Sequence, residues 1–277
     1  MNKLLSAGFA RLWKNKPFWL GMIFFPGIVL LNLFTNYHDM KLGYFQSSLD
    51  PFLYAVFILI GVFTAVWAAL FLGTEYSDGT VRNKLVCGHS RTAVYLSSLI
   101  ICFVSSLLVC LLSVLFVFMV GIPLFGLPQS PTLSIMSQYG CGILMIAALS
   151  GIFTLLAMLI NNKPVSSIVC SIGFFVLLFI TILILNRLDA PEMLTGMYDM
   201  TVDGSVIPQE PVPNPRYLRG TARTIHEFLR DLLPLGIGLQ LQQGGLQHPL
   251  QSCLLALFVT AGTTTGGILA FRRKDLK

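Results

Sequence analysis

Charged residues are spaced along this chain in a way that few kinds of fold permit. No Asp, Glu, Lys or Arg occurs at 17–38, 51–74, 92–162, 164–186 or 232–271. A helix of about 20 apolar residues crosses the hydrocarbon core of a bilayer, and an unpaired charge within that core is costly. Charged residues make up only 11% of the 277 residues and hydrophobic ones 55%, whereas a soluble domain carries about 25% charged residues. Lipid must therefore be the solvent for most of the chain. The interval 92–162 holds two spans, because Gly121, Pro123, Gly126, Pro128, Ser130 and Pro131 break it near the middle. Six spans are expected, near 18–34, 52–72, 94–120, 139–160, 165–185 and 250–271. The runs are continuously apolar, not alternating with period two, which selects helices over a barrel. The first run is too long, and lacks the small-residue site, for a cleavable signal peptide.

Orientation follows from the basic residues. With the N-terminus inside, Lys3, Arg11, Lys14, Lys16, Arg82, Lys84, Arg91, Lys163, Arg272, Arg273, Lys274 and Lys277 are cytoplasmic. Lys41, Arg187, Arg216, Arg219, Arg223 and Arg230 are then outside, and all but Lys41 lie in one long loop, where the positive-inside rule has least weight. Both termini are thus expected in the cytoplasm of a multi-pass protein of the plasma membrane. The net charge of +6 reads as this orientation signal; nucleic acid is not an expected partner, since the basic residues are scattered over separate loops. Of the six cysteines, Cys102, Cys110, Cys141, Cys170 and Cys253 fall in spans and Cys87 in an inner loop. They read as small apolar packing residues, with no disulfide framework expected.

The whole chain, 1–277, reads as one transmembrane domain with three accessory stretches. Residues 1–16 place Leu4, Leu5, Phe9, Leu12 and Trp13 on one helical face, opposite Lys3, Arg11 and Lys14. This is the pattern of a helix lying in the membrane interface, with Phe9, Leu12 and Trp13 at the lipid and the basic groups toward anionic headgroups. The inner loop 74–91, TEYSDGTVRNKLVCGHSR, has room for a short helix, capped by Ser77 or Asp78 and ended by Gly88 in the left-handed conformation. About two turns are too few to be stable alone. Outside, 186–249 begins as a turn-rich, proline-fixed stretch. It continues as an amphipathic helix in which Leu218, Ile225, Phe228, Leu229 and Leu232 oppose Arg219, Arg223, Glu227 and Arg230. After Pro234 comes the Gly- and Gln-rich run LGIGLQLQQGG, too polar to span and too apolar for a free loop. It is expected as a partly re-entrant piece buried against protein, with Pro234, Gly236 and Gly238 as gate residues. Gly262 and Gly266 form a GxxxG in the last span, a spacing that permits close helix approach within the chain or between chains.

Catalytic patterns are missing. There is no GxxxxGK[ST] phosphate loop and no HExxH. His38, His89, His226 and His248 lie in separate segments and offer no metal site. No histidine in a span could activate Ser150, so neither an enzyme nor a cofactor-binding chain is expected.

The loop 74–91 carries the informative pattern. Glu75, the Gly79 and Thr80 pair, the basic and apolar stretch through Leu85, and the closing Ser90 and Arg91 resemble the segment between spans two and three of ABC-2 type transporter permeases. The ending FRRKDLK resembles that family's finish after its sixth span. The resemblance implies an all-α fold of six spans with an N-terminal interfacial helix and an outer helical element before the last span. It also implies a coupling helix docked on a separate cytosolic ABC ATPase that holds the ATP and Mg, and a second permease chain, identical or different. Coupling would fall to Glu75, Asp78, Gly79, Thr80, Val81, Arg82, Asn83, Lys84 and Arg91. Glu75 is expected to pair with Arg82 or Arg91, while Thr80, Val81, Asn83, Lys84 and Val86 face the partner. A pathway between permeases, lined by spans such as the second and fifth, suits a hydrophobic or amphipathic cargo: a drug, a lipid-like molecule or an antimicrobial peptide. The competing class is a non-transporting scaffold or sensor whose outer segment binds a ligand or partner.

Overall fold

The computed structural model describes residues 1–44, 48–195, 198–200, 206–208 and 211–274. Six helices are long and apolar enough to cross a membrane: α2 (Lys16–Lys41), α3 (Asp50–Ser77), α5 (Arg91–Phe125), α6 (Thr132–Leu159), α7 (Lys163–Leu188) and α10 (Pro249–Arg273). Each matches an expected span, extended by up to about two turns. α5 is the longest, its 35 residues making a rod of about 52 Å, well beyond the hydrocarbon core. Pro17, Pro51, Pro164 and Pro249 sit in the first turns of α2, α3, α7 and α10, where the missing N–H costs nothing.

The spans are not equivalent. α3 is the axis, with 67% of its apolar window buried, against 22% for α7 and 17% for α10. Side chains on α3 explain its place. Phe63, Trp67 and Phe71 stack along one face with centroids 5.9 and 5.2 Å apart, and Phe18 of α2 closes on Trp67 at 5.5 Å. Thr64 donates to Ser106 of α5 at 3.0 Å. The buried Ser97, Ser98, Ser105, Ser106 and Ser113 keep the inner side of α5 slim enough for this approach. Tyr139 of α6 donates to the Leu53 carbonyl at 2.9 Å, and Gly142 leaves room for the Phe57 ring.

Four short helices complete the bundle. α1 (Asn2–Trp13) and α4 (Thr80–Val86) lie at one end. α8 (Gly220–Leu232) and α9 (Pro234–Gln242) lie at the other, after two small antiparallel ladders pairing β1 (Met193–Leu194) with β4 (Val212–Pro213) and β2 (Tyr198–Met200) with β3 (Val206–Pro208). α9 covers the Gly- and Gln-rich run and is buried against protein as expected: Pro234, Leu235, Gly236, Ile237, Gly238, Gln240 and Leu241 are buried, packed on α3 and α6.

Two expectations are corrected. α1 does not rest on lipid with Phe9 and Leu12 outward. Leu4, Gly8 and Leu12 are buried, with Gly8 against Ile101 of α5, and Phe9 is partly buried on the core. Trp13 alone of the three expected interface residues is exposed. The apolar stripe of α1 thus meets protein, which offers it closer contacts than lipid. Cys141 and Cys253 form a disulfide between α6 and α10, with Cα atoms 5.5 Å apart. Sequence could not pair them across 112 residues. Within the chain, no neighbour among the described residues meets Gly262 or Gly266, and the close approach on α10 falls at Gly267, against Tyr95 of α5.

Candidate functional site

The α3–α5 connection is built around a buried carboxylate. α3 ends at Ser77, and Gly79 turns the chain at φ +67°, a left-handed conformation that costs glycine nothing. Neither Ser77 nor Asp78 caps α4, contrary to the sequence reading; Gly79 is its N-cap. Thr80 instead donates back to the Glu75 carbonyl at 2.9 Å, folding α4 against the end of α3. Gly88, at φ +84°, ends α4 as expected, with its N–H donating to the Leu85 carbonyl at 3.0 Å. Ser90 caps α5 by accepting from the Ala93 N–H at 3.2 Å.

Glu75 is 1% exposed, and a buried carboxylate needs cations and donors. They are not the expected Arg82 or Arg91. Lys84 Nζ lies 2.7 Å and Arg11 Nη1 3.2 Å from the same Oε1. Arg11 also donates to Thr80 Oγ1 at 3.1 Å and reaches Asp78 Oδ2 at 3.4 Å. One guanidinium from α1 thereby holds both ends of the turn, and it stacks over the Phe71 ring at 5.5 Å. A pairing of Glu75 with residues 7 or 16 positions later was the natural local reading. The long-range partner is hidden in the sequence because an amphipathic α1 suits a lipid surface as well as a protein one.

α4 consequently has two distinct faces. Val81 is buried at 2% exposure, which corrects its expected place on the outer face, and Lys84 is turned inward to Glu75. Arg82, Asn83, Val86 and Cys87 are exposed; Val86, at 80%, is an apolar knob flanked by a cation and an amide. Arg91 has a different task from the one expected. Its Nη1 donates to the carbonyls of Phe271, at 3.0 Å, of Arg272, at 3.2 Å, and of Lys274, capping the C-terminus of α10. Lys274, part of the FRRKDLK ending, donates to the Met158 carbonyl at 2.7 Å and contacts Tyr76 Oη at 3.3 Å. Tyr76 itself donates to the Met158 carbonyl at 2.7 Å. The ends of α3, α5, α6 and α10 are stitched together beneath α4. Burial pushes the Lys274 amine down from 10.5 to about 8.

At the opposite end, α9 turns back directly after α8. A side chain on Gly236 would run into the Arg230 carbonyl, and one on Gly238 would come within 3.1 Å of Met145 Sδ. Pro234 opens α9 in its first turn. Among the described residues, no group of three or more His, Cys, Asp or Glu could hold a metal ion.

Fold and site together define a polytopic helical membrane protein with a braced helix projecting from one end of its bundle. The chain belongs to the ABC-2 family of transporter proteins, whose family model matches residues 4–185. It is a membrane-spanning permease subunit of an ABC transporter, a multi-pass protein of the cell membrane that associates with ABC ATPase subunits. The match covers the first five spans and ends within α7, leaving α8, α9 and α10 outside it. No curated protein matches the chain.

Proposed function

We propose that this permease exports a hydrophobic or amphipathic cargo, with α4 as its contact to a cytosolic ATPase that binds and hydrolyses ATP with Mg. The observation that carries this reading is the mounting of α4: Arg11, Glu75 and Lys84 fix its inner face, leaving Arg82, Asn83 and Val86 free to enter a groove. A helix of 7 residues transmits a push only if it is fixed at its base, and this one is joined to the most buried span. Asp78, Gly79 and Thr80 set its angle. Arg91 acts from behind, tying α5 to α10.

The α4 end is then cytoplasmic and the α8–α9 end external. The Cys141–Cys253 disulfide, in the half of α10 near α9, supports that sidedness, because disulfides persist in oxidising compartments. Apolar cargo is supported by a cavity of about 390 Å³ between α2 and α3, lined by Leu20, Phe24, Phe63, Trp67 and Leu70. The exposed apolar sides of α2 and α7 suit a second permease chain, identical or different, with α3 and α7 bordering the path between them. Pro234, Gly236 and Gly238 place α9 where it can gate the outer side.

Co-purification tests the reading. Tagged permease should bring down a P-loop ATPase, and Arg82→Glu and Val86→Asp should lose it while keeping the fold. Gly79→Pro should uncouple ATP hydrolysis from cargo efflux. An ATPase retained unchanged by all three variants would exclude α4 as the contact.

A further inference from the structure

At the end of the molecule away from α4, a polar chamber of about 310 Å³ opens between the end of α7, the end of α8 and the tip of α9. Its walls include Leu185, Asp189, Arg230, Gln240, Gln243 and Gln247. Arg230 is the unusual member. It is 2% exposed, and its guanidinium is only partly satisfied: Nε donates to Asp231 Oδ1 at 2.9 Å and Nη1 to Gln247 Oε1 at 2.7 Å, while Nη2 is buried without a partner among the described residues. A buried charged donor left unpaired is costly, and such groups mark places where an acceptor is supplied from elsewhere.

The charges narrow the choice of acceptor. Asp231 already balances Arg230. Asp189, exposed on the chamber wall and without an ion-pair partner among the described residues, leaves one negative charge in excess. A simple anion would be repelled by Asp189. A simple cation would leave Nη2 unsatisfied. A ligand with acceptor oxygens at one end and an ammonium at the other answers both.

Position adds the rest. On α8, Ile225, Phe228 and Leu229 are exposed apolar side chains immediately before Arg230, and on α7 the exposed Ile182 and Leu183 end within a turn of Leu185. The chamber sits where two lipid-facing surfaces stop, at headgroup depth. We propose that it binds the headgroup of an aminophospholipid, with the phosphate on Arg230 and the ammonium on Asp189.

The test uses the full-length chain, delipidated in detergent and examined by native mass spectrometry with dioleoyl phosphatidylethanolamine, phosphatidylglycerol and phosphatidylcholine. Phosphatidylethanolamine should be retained about tenfold better than the other two, one charge-assisted hydrogen bond's worth. Asp189→Asn should remove that preference, and Arg230→Gln should lower retention of all three lipids together. If Arg230→Gln does not fold, the exposed Asp189→Asn decides alone. Equal retention of the three lipids, or an unchanged preference in Asp189→Asn, overturns the proposal. Displacement of the lipid by soluble phosphoethanolamine at equal concentration overturns the lipid assignment and points to a free zwitterion.

Discussion

Glu75 shows how a single carboxylate can set the geometry of a short projecting helix. It is buried, it receives Lys84 and Arg11 on one oxygen, and removing its charge strands two cations. Glu75→Gln should cost about 2–3 kcal/mol, whereas Arg82→Ala, at an exposed position, should stay within about 0.5 kcal/mol; thermal unfolding in detergent separates them. Lys274 makes a second prediction at this scale. With its amine brought to about 8, about half is neutral at pH 8, roughly a hundred times the fraction of an ordinary lysine. Brief acylation at pH 8, read by peptide mass spectrometry, should modify Lys274 ahead of Lys3 and Lys14. The sign for stability follows from proton counting. The folded state binds fewer protons than the unfolded one between pH 8 and 10.5, so this group's contribution to stability rises with pH across that window. Lys274→Met should flatten that rise.

At the scale of elements, the legible parts were those fixed by local chemistry. The left-handed Gly88 that ends α4 and the break between α5 and α6 follow from residue types with one physical use each, whereas the start of α4 fell at Gly79 and not at Ser77 or Asp78. What α1 and α4 face was not legible. An apolar stripe of Leu4, Gly8 and Leu12 is equally content against lipid or against Ile101 of α5, and a two-turn helix takes its orientation from whatever holds it, here Arg11 from far away in sequence. The same limit applied to Val81, whose type said only that it should be covered by something. α9 was easier, because its glycines and glutamines excluded both lipid and water. Its mounting is tight: Gly236→Ala should push α9 off the Arg230 carbonyl and cost about 1–3 kcal/mol. Gly238→Ala, facing the flexible Met145 thioether, should cost less. Thermal midpoints of the two variants, measured side by side, check the order.

For the whole molecule, the contrast between a buried α3 and exposed α2, α7 and α10 separates spans whose sequences look alike. Hydropathy finds six of them and cannot rank them. Tertiary placement does, through Gly142, Tyr139 and the slim inner side of α5. The disulfide is the clearest case of information absent from the sequence pattern, and it is testable in the intact protein. Without reductant, maleimide should label Cys87, which is exposed, and leave Cys141 and Cys253 untouched; reduction should release both. Replacing both with Ser should remove about 2–4 kcal/mol of stability. The bond also has a mechanical consequence. Since α6 and α10 are welded near one end and α10 is clipped by Arg91 and Lys274 near the other, these two helices form a single leaf. Whatever hinge the transport cycle uses must therefore open along a seam between this leaf and its neighbours α3, α5 and α7, and cannot run between its own members.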